Sequence, residues 1–192
     1  MAHVSIIGTG NMANAIGGIL ADGGSSVTYI TQEQTGTAPL TGEIVVLAVP
    51  YPAVDSILTA YGDQFDGKIV VDITNPLNFD TFDSLTVPVG SSAAAEIQAK
   101  LPASTVVKAF NTTFAGTLVG KQIGDQSTTV LIAGNDTSAK QTLAAAVEAG
   151  GVSALDAGSL SRAHELEALG FLQLTLAAGE QISWTGGFAV TR

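Results

Sequence analysis

No stretch restricts the fold of this chain as much as residues 3–13, His3-Val4-Ser5-Ile6-Ile7-Gly8-Thr9-Gly10-Asn11-Met12-Ala13. An apolar run ends at a glycine, a tight Gly-x-Gly turn follows, and residues 14–21 are compatible with a helix. A dinucleotide-binding βα turn requires that order. Gly8 permits the sharp turn out of the strand, and Gly10 lets the backbone approach a pyrophosphate with no side chain between them. Ala13 is small enough for helix and strand to pack closely, and unpaired N–H groups of the first helical turn face the phosphates. Glycine-rich turns are common punctuation; the strand before this one and the helix after it give it meaning. Gly8, Thr9, Gly10, Asn11, Met12 and Ala13 are therefore candidate cofactor-binding residues.

Beyond the Gly23-Gly24 break, residues 27–30 predict a second strand. An acidic side chain at its end would bond the ribose 2′-hydroxyl of NAD and repel the 2′-phosphate of NADP. Thr31-Gln32 stand there and Glu33 comes slightly late, so uncharged donors favour NADP over NAD. Residues 35–42 are too few, and too rich in Gly, Pro and Thr, for a crossover helix; an abbreviated loop crossing is expected. The apolar run 43–49 predicts a parallel strand covered on both faces. Pro50-Tyr51-Pro52 then opens a helix over 53–60. Ligands of an open α/β sheet bind beyond the carboxyl ends of the strands, which puts Ala48, Val49, Pro50 and Tyr51 on the path of ribose or pyrophosphate.

Further strands are expected at 68–73, 105–110 and 128–133, and helices at 93–101 and 138–149. A short edge strand at 152–155 and a helix at 160–178 precede a tail carrying Trp184. Asn75-Pro76 follows the fourth strand where a nicotinamide would arrive, although Asn-Pro is also an ordinary turn initiator. Ser91 or Ser92 can cap the next helix, with ligand contact by Ser92 an added role. Asn111-Thr112-Thr113 forms another polar cluster at a strand's carboxyl end. Lys68 and Lys108 read as strand-flanking charges, His164 as a solvated or capping histidine, and Trp184 as core or dimer interface. No acid–base constellation emerges, so no catalytic residue is named.

The expected class is α/β: a Rossmann-type NAD(P)-binding fold with a mostly parallel, doubly wound sheet. A single domain over 1–192 is expected, with about 160–192 a helical extension for packing or dimerisation. The 192 residues, 46% of them hydrophobic, suffice for one such core. A net charge of −10 disfavours nucleic acid. No apolar run is long enough for a bilayer and no basic-then-apolar leader opens the chain, which predicts a cytoplasmic protein without a membrane partner. Cysteine is absent, and His3 and His164 lie too far apart to suggest a metal site.

With these motifs in view, the chain resembles the deazaflavin-dependent NADP oxidoreductases, which exchange hydride between NADP and coenzyme F420. The resemblance rests on Ile7-Gly8-Thr9-Gly10-Asn11-Met12-Ala13, Val46-Leu47-Ala48-Val49-Pro50, Val71-Asp72-Ile73-Thr74-Asn75-Pro76 and Val107-Lys108-Ala109-Phe110-Asn111-Thr112. A further match runs from Ala157 to Glu167. The chain is also similar to the cytosolic oxidoreductase domain of the STEAP metalloreductases, which pass hydride from NADPH to a flavin. The resemblance implies NADP along Gly8 to Ala13, the nicotinamide near Asn75-Pro76 and Asn111, and a homodimer. Where the family often carries Ser-Arg after the second strand, this chain has Thr31-Gln32.

The function expected is hydride transfer between NADP(H) and a flavin, a deazaflavin or another small-molecule acceptor. A bound isoalloxazine-type ring accepts hydride by its own chemistry, so the protein need only position two rings and exclude water. An alternative is a nucleotide-binding sensor without turnover. An imine or 3-hydroxyacid reductase ranks lower, because those enzymes complete their pocket with a large helical domain that the residues after 160 are too few to build.

Overall fold

The computed structural model describes residues 2–191. The apolar runs form β1 (His3–Ile7), β2 (Ser26–Ile30), β3 (Ile44–Leu47), β4 (Ile69–Asp72) and β5 (Thr105–Lys108), paired in parallel in the order β2-β1-β3-β4-β5. The helices are α1 (Asn11–Asp22), α2 (Val54–Tyr61), α3 (Ala93–Lys100), α4 (Ala115–Gly120), α5 (Thr137–Ala149) and α6 (Ala163–Ala178). Strand side chains alternate between faces, so the sheet carries two cores. Val4, Ile6, Val46, Val71 and Val107 pack with Ile16 of α1 and Leu143 of α5. Val45, Leu47, Val70 and Val106 pack with Ile57 of α2 and Ile97 of α3. Burial on both faces explains why the strands read as unbroken apolar runs.

The crossing from β2 to β3 is abbreviated as expected: one 3-10 turn, Gln32–Gln34, replaces a helix. Pro52 lies in the 3-10 turn Tyr51–Ala53 that leads into α2. Ser92 caps α3 by accepting the Ala95 N–H at 3.1 Å, and Asp136 caps α5 by accepting the Ala139 N–H at 2.8 Å.

The segment after β5 departs from expectation. Helix α4 and a small hairpin, β6 (Gln122–Ile123) with β7 (Gln126–Ser127), were not anticipated. Helix α4 has six residues and the hairpin strands two each, too short for either periodicity to register. They reverse the chain, so β8 (Thr129–Gly134) runs antiparallel to β5 before β9 (Ser153–Gly158) resumes parallel pairing at the edge. The result is a seven-stranded, mostly parallel α/β sheet of Rossmann type with a C-terminal helix. No helix among the described residues is long and apolar enough to cross a membrane.

Candidate functional site

The chain leaves β1 for β2 on one side and returns to β3 on the other, so a crevice opens above β1. The Gly8 N–H donates to the Ile30 carbonyl at 2.9 Å, and the Ala48 N–H to the Ile7 carbonyl at 2.9 Å, drawing all three strand ends together. Gly8 has φ +120°, and a Cβ there would collide with the Ala48 carbonyl oxygen. The fold itself therefore demands glycine at 8.

Gly10 is different. Its φ of −74° and ψ of −177° suit any residue, and a Cβ there would meet no atom within 4 Å. The missing side chain serves the open space above the turn, not the packing beneath it. Helix α1 starts at that point with no side-chain cap and no acidic residue in its first turn. The amides of Asn11, Met12 and Ala13 are thus left for an anion.

Three adjoining hollows make one trough across the carboxyl ends of the strands. The first, about 550 Å³, lies between Gly8–Gly10, Gln32, Thr35 and Ala48–Pro50. The second, about 540 Å³, shares Gly10 and Ala48–Pro50 and runs on past Asn11–Ala13 and Tyr51 to Thr74 and Asn75. The third, about 420 Å³, shares Asn11, Met12, Ile73, Asn75 and Leu174 and ends at Phe114 and Trp184.

Asn75 and Asn111 are locked together at the join. The Asn75 Nδ2 donates to the Asn111 carbonyl at 2.9 Å, and the Asn111 Nδ2 donates to Asn75 Oδ1 at 2.9 Å and to the Leu166 carbonyl at 2.8 Å. Helix α6 comes so close at Gly170 that a Cβ there would collide with Asn75 Oδ1. The buried Asn111 Oδ1 is left without a partner, as is the Thr74 Oγ1.

A charged group lies beneath this pair. Lys108 is fully buried, 2.8 Å from Asp72 Oδ2 and 2.8 Å from Glu167 Oε1, and also donates to the Thr74 carbonyl. The other Glu167 oxygen accepts the Ala93 N–H at 2.9 Å. Burial pushes the Glu167 carboxyl above its ordinary range, opposed by Lys108. Lys108 is therefore no strand-flanking charge. It follows Val107 on the sheet and its stem is enclosed by the strands, so its ammonium finds carboxylates instead of water. Tyr51, at the trough wall, has its phenol pKa raised by burial and by the carboxylates of Glu96 and Asp55, which keeps it a neutral O–H donor.

Gly8, Thr9, Gly10, Gln32, Ala48, Val49 and Pro50 line the first hollow. Asn11, Met12, Ala13, Tyr51 and Asn75 line the second, and Asn111 the third. Thr31, Pro76 and Ser92 do not line the trough: Thr31 donates its N–H to Gln34 Oε1, Pro76 is buried, and Ser92 is buried as the α3 cap. His164 is exposed, its Nδ1 3.0 Å from the Ser91 carbonyl oxygen. Trp184 is not core: it is 53% exposed and packs on Phe114 with ring centroids 5.0 Å apart. Leu174 had no sequence signal, because the apolar residues of α6 are spread around the helix and single out no face. Phe114 was legible only as the residue after the Asn111-Thr112-Thr113 cluster.

Residues 29–76 match the family model described as NADP oxidoreductase, coenzyme F420-dependent. The chain is 32% identical over 181 residues to Metalloreductase STEAP3 of Rattus norvegicus, covering 86% of this chain and 36% of that one. It is 32% identical over 132 residues to the F420-dependent NADP reductase of Methanocaldococcus jannaschii, covering 67% of this chain and 59% of that one. The chain thus spans about a third and about three fifths of these two relatives. A crystal structure of a "putative f420 dependent nadp-reductase" from Arthrobacter sp. FB24 superposes with a TM-score of 0.84 at 26% identity, each chain covered in full. The similarity inferred from the motifs therefore stands.

Proposed function

We propose, from this similarity to NADP oxidoreductases, that the chain binds NADP(H) along its trough and passes hydride to a flavin-like or other small-molecule acceptor. Gly10 carries the proposal, because its missing side chain serves no packing need and clears the approach to an uncapped helix. In this reading the pyrophosphate takes the amides of Asn11 to Ala13, and the adenosine ribose lies toward Thr31, Gln32 and Thr35. Ala48 to Tyr51 flank the middle of the ligand, and Asn75 and Asn111 meet the nicotinamide, with Pro76 behind Asn75 and Ser92 supporting from α3. When bound, the reduced nicotinamide supplies two electrons and a proton as hydride. The protein's part is to hold the ring beside its acceptor and keep water out.

The chain is proposed to act as one nucleotide-binding domain in the cytoplasm and to pair with a second copy. The pairing is supported by α6, whose Leu172 is 50% exposed. Titration of NADPH by fluorescence, followed by its oxidation with FMN, FAD and a deazaflavin, tests the central proposal. Binding with turnover supports it, binding without turnover makes the chain a sensor, and no binding removes the site from Gly8 to Ala13.

A further inference from the structure

We propose that the adenosine end of the trough has no grip on a 2′-phosphate, so that NADH binds about as tightly as NADPH, with Gln32 the residue that sets this indifference. The inference rests on the reading above for where the nucleotide lies, and it names the dinucleotides that the trough accepts.

Charge comes first. A phosphate monoester brings about two negative charges at neutral pH. No charged side chain lines the first hollow. Every described lysine and arginine is engaged elsewhere: Lys68 with the Gly42 carbonyl, Lys100 with Asp55, Lys108 with its buried carboxylates, Lys121 with Asp22, Lys140 with Asp156 and Arg162 with Glu165. The chain as a whole carries −10, so a 2′-phosphate meets a repulsive field with no local partner to offset it.

The turn after β2 adds to the repulsion. Residues Gln32–Gln34 make a single 3-10 turn, and Glu33 places an exposed carboxylate within it. That carboxylate complements the opening amides of the turn from inside the chain and opposes a second anion beside it. The neighbouring Thr31 N–H already donates to Gln34 Oε1 at 3.0 Å.

Hydroxyl hydrogens decide the rest. Thr35 and Ser56 both line the first hollow. Thr35 Oγ1 donates to the Thr31 carbonyl at 3.2 Å, and Ser56 Oγ donates to the Ala53 carbonyl at 2.8 Å. Each hydroxyl therefore meets a ligand as an acceptor. A ribose 2′-hydroxyl can donate to such an oxygen, whereas a phosphate dianion has only acceptors to offer. Thr9 belongs to the glycine turn, on the pyrophosphate side. Gln32 is then the side-chain donor that the β2 end contributes to this hollow. Its amide carries a donor and an acceptor without net charge, so it serves a hydroxyl and a phosphate alike.

NADPH and NADH, titrated by their nicotinamide fluorescence at about 50 mM and about 500 mM NaCl, test the proposal. NADPH is expected to bind at most about fivefold more tightly than NADH at either salt concentration. Both ligands carry the pyrophosphate, so its salt dependence cancels in their ratio. The NADPH-to-NADH affinity ratio is therefore expected to stay level or to rise with salt, as repulsion is screened. Gln32→Arg, at an exposed position, is expected to raise the ratio at least about tenfold and to make it fall with salt, because a guanidinium pairs with phosphate. A wild-type preference for NADPH above about fivefold, or a wild-type ratio that falls with salt, overturns the inference. So does a ratio that Gln32→Arg leaves unmoved. Failure of both nucleotides to bind overturns the nucleotide reading of the trough instead.

Discussion

Lys108 of β5 and Glu167 of α6 form a 2.8 Å ion pair in which neither side chain reaches solvent. Asp72 joins it at 2.8 Å from the other side, so one cation faces two carboxylates. The group joins three pieces of the site from below. Lys108 holds the Thr74 carbonyl just before Asn75, Glu167 holds the first amide of α3, and α6 brings Leu166 and Gly170 onto Asn111 and Asn75.

Replacing Lys108 by Met leaves two carboxylates buried without a cation. Losing one partner of a buried pair costs about 3–5 kcal/mol, and urea unfolding at neutral pH should show a loss of that size. The triple variant Lys108→Met, Asp72→Asn, Glu167→Gln should recover much of it, because no charge is then enclosed. A single-variant loss below about 1 kcal/mol, typical of a surface pair, would mean that water reaches the carboxylates.

Glu167 predicts a pH dependence of definite sign. Burial raises its folded-state pKa above the ordinary 4.5, against the opposing pull of Lys108. Between the unfolded and folded values the folded chain binds more protons, so this group's contribution to stability falls as pH rises through that window. The stability of the wild type minus that of Glu167→Gln should therefore decrease as pH rises above the ordinary 4.5 through the raised folded-state value. Unfolding curves across that range check it, and a rising difference would show that Lys108 outweighs burial.

The two glycines of the turn should separate fold from function. Gly8→Ala meets the Ala48 carbonyl and a φ of +120°, and should destabilise by at least about 1–3 kcal/mol. Gly10→Val meets neither obstacle, so its melting temperature should stay near the wild type. Its NADPH affinity should nevertheless fall by about 100-fold or more, roughly 2.7 kcal/mol. Calorimetric melting and nucleotide titration of both variants check the contrast, and a Gly10→Val chain that binds normally would place the phosphates elsewhere.

The sheet was legible because its strands are covered on both faces, which writes each as an apolar run, and because Gly8 and Gly10 mark where the first one ends. The missing crossover helix was legible from Gly36, Pro39 and Gly42. What the sequence hid is long-range. Lys108 looks like any charge closing a strand, and only the return of α6 brings Glu167 to it. Trp184 looks like core until the tail folds back to lay it on Phe114 beside the trough. The reversal of β8 was hidden as well, because α4 and its hairpin are too short to carry a period.

Thr31→Asp tests the adenosine end. Thr31 closes β2 at the start of the Gln32–Gln34 turn, and every described cation is engaged elsewhere, so nothing near would neutralise a new carboxylate. Like charges there should lower the NADPH-to-NADH affinity ratio by about tenfold, roughly 1.4 kcal/mol. Gln32→Arg should raise the ratio, because a guanidinium grips phosphate in two-pronged fashion. Paired titrations with both nucleotides check this, and a flat ratio in both variants would remove β2 from the 2′-phosphate.

Gly170→Ala sets helix propensity against packing. In an exposed helix the change would stabilise by about 1 kcal/mol. Here the added methyl collides with Asn75 Oδ1 and would come within 2.9 Å of the Asn111 carbonyl, so a net loss of about 1–3 kcal/mol is expected. The displacement falls on the Asn75–Asn111 pair and not on the turn at Gly10. NADPH affinity should accordingly drop while affinity for 2′,5′-ADP, which lacks the nicotinamide, stays level. An equal loss for both ligands would mean that α6 supports the whole sheet edge and that the paired asparagines do not meet the nicotinamide.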